Sequence, residues 1–170
     1  MGKQEKIALD FEIDKLTNSI ENSISGEIFE TVVSQVTHMK EVKKTTWVFN
    51  WETEIKNKSK AVFKLTTIIH GLISLTGKGD HIFMDLIENA PFNKGKNKLY
   101  KGVAGNLVAF ACKTSFEKGF EGVVSFIAKT QLIDHYRETL GAKVFSKNRM
   151  FIDTKEAMVL TTKYFKNFKG

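Results

Sequence analysis

The chain has 170 residues, 42% hydrophobic and 26% charged, which suits one compact domain over 1–170 and excludes wholesale disorder. No apolar run approaches the ~18 residues of a membrane helix, the polar start at Met1–Lys6 is not a signal-peptide core, and the single cysteine, Cys112, excludes an internal disulfide framework. The net charge of +7 comes from 26 basic against 19 acidic residues, but only Arg137 and Arg149 are arginines, so the bidentate grip of a nucleic-acid reader is scarce. A cytoplasmic protein with a solvated lysine surface is expected, still able to attract a phosphorylated small molecule.

The first half reads as strands. Ile7, Leu9, Phe11 and Ile13 alternate with polar residues, as in a half-buried strand, and Thr17-Asn18-Ser19 and Ser25-Gly26 supply turns. The β-branched stretch 28–36 predicts a second strand, and the polar stretch 38–44 a short helix. Trp47, Phe49 and Trp51 alternate as packing aromatics on an extended segment, in the core or lid rather than an acceptor pocket. Apolar runs at 61–71 and 72–76, the turn Gly77-Lys78-Gly79-Asp80, and a run at 81–90 ending at Pro91 predict further strands. Antiparallel neighbours in chain order are the economical topology.

The second half changes period. Val103, Leu107, Phe110, Ala111 and Thr114 share one face of a helix that Gly119 ends. The apolar run 122–128 marks a central strand. Thr130 opens a helix to Leu140 with Gly141 as its stop, 144–152 reads as a strand or strand pair, and Asp153-Thr154-Lys155-Glu156 resembles a capping box for a last helix to about Phe165. The sum is an α+β sandwich around a mixed, mostly antiparallel sheet.

Chemistry concentrates between His81 and Gly119. Tyr100-Lys101-Gly102-Val103-Ala104-Gly105-Asn106 opens a helix with glycines at its mouth, where unpaired first-turn N–H groups form an anion site suited to a pyrophosphate. Lys94, Lys96, Lys98 and Lys101 add charge. No Gly-Lys-Ser/Thr follows, so this is not a Walker loop, and a dinucleotide fingerprint would need an early βαβ unit whose second strand ends in an acidic residue, where this strand ends in Ala128-Lys129-Thr130. His38, His70, His81 and His135 show no metal spacing, so no metal is expected, and Cys112 reads as a buried inert thiol.

The order of elements resembles the GNAT superfamily of acetyl-CoA-dependent N-acetyltransferases. Leu99-Tyr100-Lys101-Gly102-Val103-Ala104 is similar to its Gln/Arg-x-x-Gly-x-Gly/Ala signature, with Leu99 in place of the leading residue. Residues 116–123 resemble the end of its central helix and its fifth strand, and His135-Tyr136 with Leu140-Gly141-Ala142 resembles a later element. The resemblance divides the chain into N-terminal strands and acceptor side (1–80), an acetyl-CoA core (81–142) and a C-terminal strand and helix (143–170).

That resemblance implies a splayed central strand pair with the pantetheine arm in the wedge, paired to the edge at Ile87, Asn89 and Ala90. The pyrophosphate is then expected on Lys101, Gly102, Val103, Ala104, Gly105 and Asn106. Tyr136 is placed as the acid for the departing thiolate. Glu88, read as sharing a face with Ile82, Met84 and Leu86, is the candidate base, with Asp85 and His81 on the other face unless a bulge reverses the parity. The implied activity is acetyl transfer from acetyl-CoA to a primary amine, of a small molecule or a peptide. The alternative is a non-catalytic CoA-binding or protein-interaction module of the same fold. Exposed strand edges make a homodimer plausible.

Overall fold

A computed structural model describes residues 19–42, 47–66, 68–94, 97–165 and 168. The strand expected over 7–13 lies outside the described residues, as does Lys96. In chain order, β1 (Ser19–Asn22), β2 (Ile28–Glu30), β3 (Val32–Val36), helix α1 (Trp51–Lys56), β4 (Lys60–Thr66), β5 (Gly71–Gly77) and β6 (Ile82–Asn89) make up the first half. β7 (Tyr100–Lys101), α2 (Val103–Glu117), β8 (Val124–Ile127), α3 (Ile133–Leu140), β9 (Lys143–Ser146), β10 (Arg149–Ile152) and α4 (Thr154–Tyr164) follow.

Seven strands form one mixed sheet in the order β3-β4-β5-β6-β8-β10-β9, and a small second sheet has the order β2-β1-β7. From β3 to β6 each strand pairs antiparallel with its predecessor, and for β4–β5 and β5–β6 the short connections allow nothing else. The long connection through α2 returns β8 parallel to β6, and the β9–β10 hairpin closes the far edge. This is the α+β architecture expected from the change of period at midchain.

Three local readings need correction. The stretch 28–36 is two strands, β2 and β3, that break at Thr31 and join different sheets. Trp51 opens a helix instead of continuing an extended segment, because the Asn50 side chain accepts from Thr53 N–H and caps it. Thr130 starts a short 3-10 turn ahead of α3 and makes no side-chain cap, whereas Gly141 does stop α3, in the left-handed conformation at φ 66°. Asp153 caps α4 by accepting from Thr154 N–H at 2.8 Å.

Helix α2 lies on the face of β5 and β6 that carries Gly71, and α4 packs against α2. Two glycines set how closely these layers approach. A Cβ on Gly71 would stand 2.9 Å from Val103 Cγ1 and 3.0 Å from Leu107 Cδ1, so the sheet meets the helix there without a side chain between. A Cβ on Gly105 would run into the Tyr164 ring and hydroxyl, so Gly105 serves the contact of α2 with α4. Gly105→Ala is therefore expected to lower stability by about 1–3 kcal/mol, read as a fall in the urea midpoint. An unchanged midpoint would mean that the two helices separate freely.

Candidate active site

β6 keeps its β5 partner along its whole length but holds β8 only briefly. The parallel ladder consists of Ile82 with Val124 and Phe83 with Ser125, while β6 runs on to Asn89. Beyond Phe83 the two strands part, and a wedge opens between them. At the same level the β5–β6 register slips: Ser74 faces Leu86 and Leu75 faces Met84, so Asp85 is an extra residue in a bulge.

The bulge overturns the expected parity. Glu88 shares its face with Leu86, Asp85 and Phe83, not with Ile82 and Met84, because Leu72 and Ser74 oppose Glu88 and Leu86 while Thr76 opposes Phe83. Asp85 is buried. Its Oδ2 accepts from Thr76 Oγ1 at 2.5 Å, and Lys60 Nζ stands 3.6 Å from Oδ1 while donating to both Glu54 oxygens at 3.1 and 3.2 Å. Burial raises the Asp85 pKa, against the hydrogen bond from Thr76 and the Lys60 ammonium, which lower it.

Glu88 meets the opposite situation. At 1% exposure, its Oε1 accepts from Phe49 N–H at 3.1 Å and Trp51 Nε1–H at 2.9 Å. Its Oε2 accepts from Val48 N–H at 2.8 Å and Lys94 Nζ at 3.0 Å. A carboxylate has about four lone-pair sites, and all are directed at these donors. The expectation of Glu88 as base does not fit that partner set: the side chain ties 48–51 and Lys94 to β6. Lys94 is correspondingly spent on Glu88 and does not serve as free charge for an anion.

Across the wedge, the Tyr136 ring packs edge-on against Phe126 of β8 with centroids 5.3 Å apart. Burial pushes its phenol up to about 12, so Oη carries its proton at neutral pH. Phe126 lies just past the last residue of β8 that pairs with β6. Asp85 and Tyr136 are thus carried by, and packed on, the two strands that diverge.

The mouth of α2 is narrower as an anion site than its sequence suggests. Gly102 adopts φ 90°, the left-handed conformation that admits glycine, and no side chain caps the helix. Val103, Ala104 and Gly105 have no N–H partner within the helix, but all three are buried. Asn106 drops out of the expected set: its N–H donates to Gly102 O at 3.0 Å, and its Nδ2 donates to Ser19 O at 2.9 Å and Gly102 O at 2.8 Å. It pins β1 beside the helix start. Lys101 pairs with Glu21 in the small sheet. Ala90 also drops out, because its N–H donates to His70 O and its carbonyl accepts from Asn93 N–H, each at 2.8 Å. Ile87 and Asn89 lie on β6 beyond the last pair with β8.

Sequence reasoning missed Asn93 and His70, which hold the loop between β6 and α2. Asn93 Nδ2 donates to His70 Nδ1 at 3.2 Å and His70 O at 3.3 Å, while its Oδ1 accepts from Tyr100 N–H at 3.0 Å. The available signal was Pro91-Phe92-Asn93, a proline opening a tight turn with an asparagine inside it. Beside this loop lies a pocket of about 670 Å³ walled by Trp47, Ile68, Ile69, Pro91 and Phe92, with Lys40 and Glu41 among its lining. Of the three alternating aromatics, Phe49 and Trp51 are core and Trp47 lines this pocket. Hydrogen bonds from Thr37 and His38 N–H, then the Lys64 ammonium, hold the Glu41 carboxyl down at about 2.

No protein-family model and no curated protein matches the sequence. Solved structures match in shape. A chain of the AtaT–AtaR complex bound to DNA aligns at a TM-score of 0.59 and 16% identity, over 76% of this chain and 98% of that one. The AtaTR complex bound with AcCoA gives 0.53 and 16%, over 76% and 97%. The ribosomal-protein-S18-alanine N-acetyltransferase from Escherichia coli gives 0.51 and 12%, over 72% and 90%. These likenesses show the fold, a GNAT-like mostly antiparallel sheet with one parallel central pair.

Two outcomes are expected of the buried groups. Glu88→Ala leaves three neutral donors and Lys94 without their acceptor and should cost about 3–5 kcal/mol, with red-shifted tryptophan emission as Trp51 loses its anchor. His70 is held neutral, its pKa lowered from 6.5 to about 4 by burial, so its contribution is intact above pH 6.5 and is lost as pH falls toward 4. Stability should drop by roughly 3 kcal/mol more in the wild type than in His70→Gln between pH 7 and pH 4 in urea titrations. Equal losses would show that His70 charges freely in the folded state.

Proposed function

We propose that this protein is an N-acetyltransferase that moves an acetyl group from acetyl-CoA to a primary amine. The observation that carries the reading is the parting of β6 from β8 immediately beyond Phe83, with a buried carboxyl in the bulge on one side and a buried phenol on the other. The fold shared with an N-acetyltransferase and with a complex bound with AcCoA supports the same chemistry.

Acetyl-CoA, when bound, supplies a thioester activated toward an amine. The residues of this chain that fit it are the β6 edge at Ile87 and Asn89 and the helix mouth at Gly102, Val103, Ala104 and Gly105, with Lys101 alongside. Those amides are buried, so a diphosphate has to displace what covers them. Asp85 takes the place first given to Glu88. A carboxylate made more basic by burial accepts the proton that the amine must lose, at Oδ1, while Thr76 Oγ1–H holds Oδ2. Tyr136 keeps its proton on Oη and passes it to the departing sulfur. Glu88 acts as a positioning residue by holding 48–51 against the strand. Much of the acceleration then comes from holding the two reactants in one orientation.

Millimolar acetyl-CoA should raise the melting temperature, as a ligand of the native state must; no shift in a folded sample removes this reading. Asp85→Asn should lower kcat by about 10²–10⁴-fold with acetyl-CoA affinity retained, and Tyr136→Phe should lower kcat with cofactor affinity nearly intact. Full turnover in Asp85→Asn would return the base to another group.

A further inference from the structure

We infer that the pocket beside the end of β6 seats the acceptor, and that the acceptor is a hydrophobic amino acid: an apolar side chain, one amine and one carboxylate. The inference rests on the acetyltransferase reading above and names its second substrate.

Three observations carry it. The pocket, about 670 Å³, has the size of a small-molecule site, and its walls are Trp47, Ile68, Ile69, Pro91 and Phe92, which offer an apolar side chain a dry surface. Its position adjoins the end of β6. Ala90 lines it and directly follows β6, and the segment behind Trp47 is the one that Glu88 holds to that strand.

The charge of the lining decides between amines. Glu41 is its carboxylate, and both oxygens are engaged: Oε2 by Thr37 and His38 N–H at 3.1 and 3.0 Å, Oε1 by Lys64 Nζ at 3.3 Å. Lys40 is exposed and forms no ion pair with a described residue. Among the described residues the pocket therefore offers a cation and no uncommitted anion. A polyamine or an aminoglycoside would meet net positive charge there, on a chain already at +7. A carboxylate on the acceptor instead completes Lys40, with the apolar side chain against Trp47 and Phe92.

The test is calorimetric titration of the CoA-loaded protein with L-phenylalanine, phenethylamine and spermidine, followed by acetyl transfer to each. L-phenylalanine should bind best. Lys40→Ala should weaken it about three- to tenfold and leave phenethylamine unchanged, and Phe92→Ala should weaken both. Tighter binding of spermidine or phenethylamine, or indifference of L-phenylalanine to Lys40→Ala, overturns the inference. If acetyl-CoA binds and spermidine is the better acceptor, the enzyme reading stands and this one falls. If acetyl-CoA never binds while L-phenylalanine binds through Lys40, the transferase reading fails and the pocket remains an amino-acid site. Binding of neither rejects both.

Discussion

A strand inside a sheet is normally paired along both edges, because buried backbone N–H and C=O groups are costly when left without partners. β6 departs from that rule on one side. It is fully paired to β5 but loses β8 after Phe83. Much of what makes the site follows from this single divergence. It opens a slot at the centre of the sheet, it coincides with the bulge at Asp85, and it leaves the far end of β6 to be held by other means.

Those means are chiefly electrostatic. Asp85 and Glu88 are three positions apart on one strand, on one face, and both are buried, yet their surroundings set them different tasks. Glu88 receives four donors, one of them an ammonium, and organises the chain around it. At Asp85, which meets the Thr76 hydroxyl and a lysine that also donates to Glu54, burial is the largest influence and its proton is held more tightly than usual. The two carboxyls thus have different surroundings on one face of one strand.

Glycine illustrates the same division at the mouth of α2. Gly102 is required by its left-handed backbone, and Gly105 by the approach of Tyr164. The glycine-rich turn is therefore explained by conformation and helix packing before any ligand is considered. The amides left without a helical partner at this mouth number fewer than the motif suggests, since Asn106 is spent inside the protein.

The sequence by itself determined the class of fold, the meander from 60 to 89, the glycine-led helix, the central strand after it and the stop at Gly141. These depend on local periodicity and on residues such as Gly102 and Gly141 whose backbone preferences are intrinsic. It could not determine that Asp85 shares a face with Glu88. That rests on the one-residue slip between Ser74 and Leu75 opposite Asp85, which exchanges the faces of the residues before it relative to Glu88, and no alternation pattern announces a bulge. Nor could it show that Val48, Phe49 and Trp51, some forty positions away, converge on Glu88, or that Ala90 and Asn106 already have partners. Hydrogen bonds between distant segments exist only once the chain has closed on itself, and tertiary structure alone decides which polar groups remain for chemistry.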